Sequence, residues 1–304
     1  MQVQSKVIVL ILSYNGKELL KECINSYLDN DYDNFEIVLI DNGSTDSTLD
    51  YVNDNWPEVF VLRTENNLGY SGGFNFGMDY SFNKKEADYV LITNNDVKAD
   101  EKVISELVKV ALSNAMPGFV TGKVYFYDQP DLLQTTGFKL TNEKYWLFGH
   151  RGNKESDKGQ YDHIEELEYS DDIFMLVKRD VFLKTNGYDL EFQFQAEQFD
   201  WQIRAKKLGF KLFYTPFAKI WHKDSVTIGK SSPFKEYYNV RNSYIVRAKH
   251  KDNNDFMKSF DRWYFTHRVL KSFIKNIIKL NYKMAFAIFN GYYSAIVWRI
   301  KNNI

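Results

Sequence analysis

Cysteine is almost missing from this 304-residue chain. Cys23 stands alone, which excludes an intrachain disulfide framework and fits a reducing compartment. Its setting, Leu-Leu-Lys-Glu-Cys-Ile, suits a buried helix residue better than a nucleophile. No apolar run reaches the ~20 residues of a membrane-spanning helix. The charge-free stretch Met284 to Trp298 is 15 residues long and contains Asn290, Gly291 and Ser294. Val7 to Leu12 lacks the flanks of a secretory signal, with only Lys6 before it and no small-residue cleavage site after it, and reads as a first strand. The dinucleotide fingerprint G-x-G-x-x-G is missing, which disfavours a nicotinamide or flavin enzyme. No recognised nucleic-acid-binding motif accompanies the basic residues.

Aromatic side chains, by contrast, are abundant, at 17% with 21 Tyr and 24 Phe. That exceeds what a core requires and points to rings on a binding surface or against a membrane. The net charge of -1 hides an asymmetry: from Arg247 to Ile304 twelve cations face three carboxylates, giving +9 and leaving -10 for the rest. A basic tail on an acidic body suggests an anionic surface as partner.

Along the chain, strand and helix signals alternate. Val7 to Leu12 runs into the turn Ser13-Tyr14-Asn15-Gly16, and Lys17 to Leu28 has the apolar spacing of a helix. Strand Glu36 to Ile40 leads to Asp41-Asn42-Gly43-Ser44-Thr45-Asp46, where Ser44 or Thr45 can cap the helix carrying Leu49 and Val52. A strand at Val59 to Arg63 follows, completing the rhythm of a parallel sheet with right-handed crossovers. Asn67-Leu68-Gly69-Tyr70-Ser71-Gly72-Gly73-Phe74-Asn75 then precedes a helix. Its glycines either admit a ligand to the backbone or allow strand and helix to pack closely. Val90 to Asp96 is an apolar strand ending in Asn94-Asn95-Asp96, either a plain turn or a carboxylate placed to hold a divalent cation.

Downstream, residues 128 to 170 are polar and turn-rich, either an acceptor-selecting segment or a surface insertion. Order returns at Ile173 to Val177 and a helix near Arg179 to Thr185. Glu197, Asp200 and Arg204 share one helical face, as an ion-pair surface or as catalytic groups. Strand Lys211 to Tyr214 precedes Ile220-Trp221-His222, where the imidazole is a structural residue or a ligand. From Phe256 to Leu280 aromatic and aliphatic residues occupy one helical side and Lys271, Lys275, Lys279 and Lys283 another. That pattern suits a helix lying in a membrane interface, or one packed on the catalytic domain.

Taken together and in this order, the motifs from about Val7 to His250 resemble the family 2 glycosyltransferases of the GT-A fold, in a rhamnosyltransferase-like branch. The resemblance implies an α/β fold with a Rossmann-like, mixed but mostly parallel sheet flanked by helices, plus a C-terminal helical extension. Residues 1–250 would form the catalytic domain, with a nucleotide-binding half to about 115 and an acceptor-binding half from 116, followed by a basic tail at 251–304. It also implies a nucleotide-diphosphate sugar as donor. Ser13, Tyr14 and Asn15 match the loop beside the nucleotide, Asp41 the carboxylate on base or ribose, and Asn67, Gly69, Gly72, Gly73 and Asn75 the loop flanking the donor. Asn94-Asn95-Asp96 looks like the D-x-D element with its first Asp replaced, so that Asp96 would hold Mn2+ or Mg2+, with His222 able to complete the metal site. Arg241, in Tyr-Asn-Val-Arg-Asn, could neutralise the leaving diphosphate.

Transfer with inversion needs a carboxylate to take the acceptor's proton. Relatives often carry Glu-Asp where this chain has Glu197-Gln198, and an amide cannot serve, so the role falls to Glu197 or, second, Asp200. The expected activity is sugar transfer to a glycan or lipid-linked acceptor at the inner, cytoplasmic face of the membrane, with peripheral attachment through the tail and no nucleic-acid partner. Two alternatives are a sugar-1-phosphate nucleotidyltransferase and a non-catalytic sugar-nucleotide-binding relative.

Overall fold

The computed structural model describes residues 4–223, 232–251 and 254–304. The first half alternates as the apolar spacing requires: β1 (Val7–Ser13), α1 (Lys17–Leu28), β2 (Phe35–Asp41), α2 (Thr48–Asn55), β3 (Phe60–Arg63), α3 (Gly69–Asn83) and β4 (Tyr89–Asn94). Next come β5 (Val97–Ala99), α4 (Val103–Ser113), β6 (Pro117–Phe126), β7 (Gln129–Thr135), β8 (Phe138–Asn142), β9 (Leu147–His150), β10 (Glu165–Leu167) and β11 (Phe174–Lys178). The remainder is α5 (Arg179–Thr185), α6 (Glu197–Lys207), β12 (Lys211–His222), α7 (Pro233–His250), α8 (Asn254–Trp263), a π-helical segment Tyr264–Leu270, α9 (Lys271–Ile278) and α10 (Tyr282–Lys301).

Ten strands form one sheet whose main path runs β10-β12-β6-β11-β4-β1-β2-β3, with β5 on β12 and β7 on β6. β4, β1, β2 and β3 are mutually parallel, and β11 enters antiparallel between β4 and β6. Alternation in β1 builds the two layers. Val7, Val9 and Ile11 join Leu20, Cys23 and Ile24 of α1 in one apolar cluster, while Ile8 and Leu10 join Phe74, Met78 and Phe82 of α3 in the other. A Cβ at Gly73 would lie 2.6 Å from Leu12 Cδ1 and 3.2 Å from Asn42 Nδ2, so the glycine lets α3 settle on the sheet.

Three expectations change. Residues 128 to 170 are more regular than their polarity suggested, holding β7 to β10. β12 continues to His222: after an irregularity between Tyr214 and Lys219 it pairs again with β6, and at Ile220–His222 also with β5. The stretch Phe256 to Leu280 does not present its apolar side chains on one exposed face: Met257, Phe260, Tyr264 and Val269 are buried.

The chain divides into two compact units. The first comprises Met1–Lys139, Gly149–Gln193 and Trp201–Asp224, and the second Leu140–Phe148, Phe194–Asp200 and Ser225–Ile304. Within the second, α10 packs along α7, with Gly291 set against the Tyr237 carbonyl. Arg247 is buried beneath this packing, donating to the carbonyls of Ser243, Tyr145 and Trp146 at 2.5, 3.2 and 2.8 Å, and burial lowers its pKa to about 10.

Candidate active site

The first unit gathers its candidates where the strand order turns. β1 lies between β2 and β4, and its register sets Ser13 opposite Asp41 and Leu12 opposite Asn94. Ser13, Asp41 and the Asn94-Asn95-Asp96 triplet therefore emerge side by side at the carboxyl ends of adjacent parallel strands, where open α/β sheets bind ligands.

The loops after β1 and β2 are tied together. Asn15, in left-handed conformation, donates its backbone N–H to Ser44 Oγ at 3.0 Å and accepts from the Thr45 N–H at 2.8 Å. The Lys17 N–H reaches Asp46 Oδ2 at 3.1 Å. These bonds occupy Ser44 and Thr45, so neither caps α2; Ser47 stands at the N-cap without a side-chain bond. Tyr14 is 40% exposed. Asp41 is fully buried, with Oδ1 accepting from the Ser44 N–H at 3.0 Å. Its Oδ2 lies 3.2 Å from Arg63 Nη1, a charge contact whose angles do not make a hydrogen bond, and has no hydrogen-bond donor among the described residues. An acceptor in that state is suited to a ribose hydroxyl or a base N–H.

Asn42 organises the glycine-rich segment. Its Nδ2 donates to Asn67 Oδ1 and the Gly69 carbonyl, both at 3.0 Å, and its Oδ1 accepts from the Leu68 N–H at 2.9 Å. Asn67 Oδ1 also accepts from the Gly69 N–H at 2.8 Å. Gly69 begins α3, so Gly72 and Gly73 belong to its first two turns, not to a preceding loop. Asn75 faces α5's exit instead: it donates to the Tyr188 carbonyl at 2.8 Å and accepts from the Tyr188 N–H at 2.9 Å.

At the tip of β4, Asn95 Nδ2 donates to Ser13 Oγ at 3.1 Å, and the Asn94 N–H to the Ile173 carbonyl at 3.1 Å. Antiparallel pairing of β5 with the end of β12 sets His222 opposite Val97, one residue past Asp96. His222 Nε2 consequently lies 3.2 Å from Asp96 Oδ1, both side chains being buried. His222 Nδ1 is 2.9 Å from Gln134 Oε1; in the tautomer with its proton on Nδ1, Nε2 is available as a ligand on the side of Asp96. Nε2 and Oδ1 thus form a nitrogen–oxygen donor pair with a second partner fixing the ring, as in metal sites. No cluster of three or more His, Cys, Asp or Glu suited to a metal occurs among the described residues. With only these two protein donors, one oxygen and one nitrogen, a divalent cation here would take the rest of its shell from phosphate oxygens or water.

The second unit holds Glu197, Asp200 and Arg241. Glu197 opens α6 and is buried. Asp200 is fully buried, with Oδ1 2.7 Å from Lys249 Nζ and 2.8 Å from His250 Nε2. The Arg204 guanidinium donates to the Thr185 and Gly187 carbonyls at 2.7 Å each. Arg241 Nη1 donates to Asn242 Oδ1 at 2.6 Å. Asn242 Nδ2 in turn donates to the carbonyls of Phe194 and Gln195 at 2.8 and 3.0 Å. It holds a turn in which Gln195 and Ala196, neither a glycine, both take positive φ values of 68° and 70° just before α6.

Sequence reasoning missed Asn42, Gln134 and the pair Asp171–Asp172. The pair precedes β11, which β4 holds in register, so it sits beside the Asn94–Asp96 tip. Asp172 Oδ2 accepts from Tyr188 Oη at 2.7 Å, its carbonyl accepts from Tyr70 Oη at 3.1 Å, and Asp171 Oδ2 lies 3.2 Å from His150 Nδ1. Burial, reinforced by Asp171, raises the pKa of Asp172. Two adjacent carboxylates before an apolar strand were the available signal.

A mixed sheet with the parallel order β4-β1-β2-β3 and β11 antiparallel beside β4 is the arrangement of the GT-A fold. Solved structures share this fold. GalNAc-T7 with UDP, GalNAc and Mn2+ matches at TM-score 0.60 and 14% identity, covering 92% of this chain and 58% of that one. The mannosyltransferase PcManGT from Pyrobaculum calidifontis, in complex with GDP-Man and Mn2+, matches at 0.58 and 12%, covering 97% and 88%. Residues 8–181, more than half of the chain, match the model of glycosyl transferase family 2, and the protein belongs to that family. Among its relatives is the low-salt glycan biosynthesis hexosyltransferase Agl10 of Haloferax volcanii, 21% identical over 262 residues, spanning 85% of this chain and 79% of the relative. Another is the GalNAc(5)-diNAcBac-PP-undecaprenol beta-1,3-glucosyltransferase of Campylobacter jejuni, 25% identical over 253 residues, spanning 82% and 74%.

Proposed function

We propose that this glycosyltransferase moves a hexose from a nucleoside-diphosphate sugar to a lipid-linked glycan acceptor, with divalent-metal assistance and inversion at the anomeric carbon. The observation that carries the metal requirement is the buried Asp96–His222 pair, oriented by Gln134. When bound there, Mn2+ or Mg2+ would supply positive charge to the departing diphosphate. Asp41, with an acceptor oxygen to spare, binds ribose or base, and the Asn42-held start of α3 bounds the donor. We assign the acceptor proton to Glu197: Gln198 cannot take it, and Asp200 already faces Lys249 and His250. Arg241 is assigned to the leaving diphosphate. The lipid-linked acceptor is supported by the Campylobacter relative's undecaprenol substrate and by the basic C-terminal segment, which we take to attach the enzyme peripherally to the inner membrane face.

Calorimetry of UDP, GDP and dTDP binding, with and without Mn2+, tests the metal assignment. At least one nucleotide should bind in a Mn2+-dependent manner to the wild type, and Asp96→Asn should lose that dependence while its thermal transition without ligand is retained. Mn2+-dependent binding that survives Asp96→Asn unchanged would overturn it. Nucleoside diphosphate, not pyrophosphate, should be the product released from the donor.

A further inference from the structure

The exposed apolar surface of the second unit occupies only the later part of the stretch that periodicity marked, and extends beyond it. α8 and the π-helical segment turn Met257, Phe260, Tyr264 and Val269 inward. Beyond them the helices turn apolar side chains outward. Leu270, the last residue of the π-helical segment, and Ile274 and Ile278 of α9, spaced by four, are 39, 47 and 76% exposed, and Leu280 in the following turn is 72% exposed. On α10, Tyr282, Phe286, Phe289, Tyr293 and Ile300 are 46 to 69% exposed, at the separations of four, three, four and seven that trace one helical stripe. The opposite stripe, Met284, Ala285, Ile288, Gly291 and Ala295, is buried, and α10 packs on α7. This helix is therefore apolar on both sides, and its outer side is bare.

Charge identifies what covers that side. After Asp261 the sequence carries eight Lys or Arg and no Asp or Glu. Arg268 and Arg299 are spent internally on Glu236 and Asp261. Lys271, Lys275, Lys279 and Lys283 are exposed and form no ion pair among the described residues. On α9 each of the first three follows an exposed apolar residue by one position, placing a lysine row at the edge of the apolar stripe, where long side chains can reach a headgroup plane. A second copy of this chain would bring like charge against like charge; an anionic lipid surface brings the opposite. No helix among the described residues is long and apolar enough to cross a membrane, so the face lies on the bilayer and does not span it.

We propose that the α9–α10 hairpin is the membrane-contacting face of this enzyme, its Phe286, Phe289 and Tyr293 entering the interface of an anionic bilayer while the lysine row engages headgroups. This deepens the peripheral attachment proposed above and rests on it.

Flotation of the full chain on vesicles of phosphatidylcholine with and without 30% phosphatidylglycerol tests both. Wild type should float with the anionic vesicles, and Phe286→Glu/Tyr293→Glu should lose at least roughly tenfold in partitioning. Replacing the four lysines by glutamine should cost on the order of 600-fold, about fivefold for each charge. Leu112→Glu, at a side chain 65% exposed on the first unit, should float like wild type. If wild type does not float, attachment itself fails. If it floats and the hairpin variants float equally, attachment stands and this face is wrong. Light scattering that shows a dimer broken by Phe286→Glu/Tyr293→Glu would give the face to a second copy and overturn the proposal.

Discussion

Replacing Asn42 by alanine should loosen the glycine-rich segment at the start of α3. The side chain is buried and makes four hydrogen bonds, to Asn67 Oδ1, the Gly69 carbonyl, the Leu68 N–H and Thr64 Oγ1. Two of these partners keep an alternative: Asn67 Oδ1 retains the Gly69 N–H, and Thr64 Oγ1 still donates to the Asn66 carbonyl. The loss therefore falls on the Leu68 N–H and the second bond at Gly69, together with the space left behind. At about 1 kcal/mol for a net hydrogen bond and more for a group stranded away from water, the cost should be about 2–3 kcal/mol. Urea unfolding of wild type and variant measures it, as a lower midpoint at unchanged slope. All four bonds converge on residues 64 to 69, so the affinity of the best-binding nucleoside diphosphate should fall as well. A cost below about 0.5 kcal/mol with affinity unchanged would refute the view that this side chain holds the segment.

Two further outcomes follow from buried groups. Asp172 has a pKa raised by burial from the ordinary 3.8 to about 6, so the folded protein holds its proton more tightly than the unfolded chain. Its penalty is absent below pH 4 and grows as pH rises toward 6, where the carboxyl ionises inside the fold. Asp172→Asn should therefore gain stability relative to wild type between pH 4 and 7, by about 1.4 kcal/mol per unit of displacement; a difference independent of pH would remove the assigned cause. Asn242→Ala should destabilise by about 2–4 kcal/mol, because the left-handed turn at Gln195 and Ala196 loses its clamp. Gln195→Gly in that background should recover about 1 kcal/mol in urea unfolding, and no recovery would show that the turn stores no strain.

The sequence by itself determined the alternating α/β order, the strands that lead to Ser13, Asp41 and Asp96, and the family, because apolar period and turn chemistry are local and survive translation along the chain. It also singled out His222, yet only strand register set His222 against Asp96: β5 and β12 are more than a hundred residues apart, and no local pattern encodes their pairing. The same holds for Gln134, whose amide is unremarkable until β7 joins β6. Helical spacing grouped Glu197, Asp200 and Arg204 on one face, and only the tertiary structure supplied their distant partners, Lys249 and His250 for Asp200 and the Thr185 and Gly187 carbonyls for Arg204. In the C-terminal helices composition located the apolar and basic residues, and tertiary packing chose between their faces. Packing α10 on α7 buried Ile288 and Ala295 and left Phe286 and Tyr293 exposed, because a helix apolar all round can satisfy only the side that meets a neighbour.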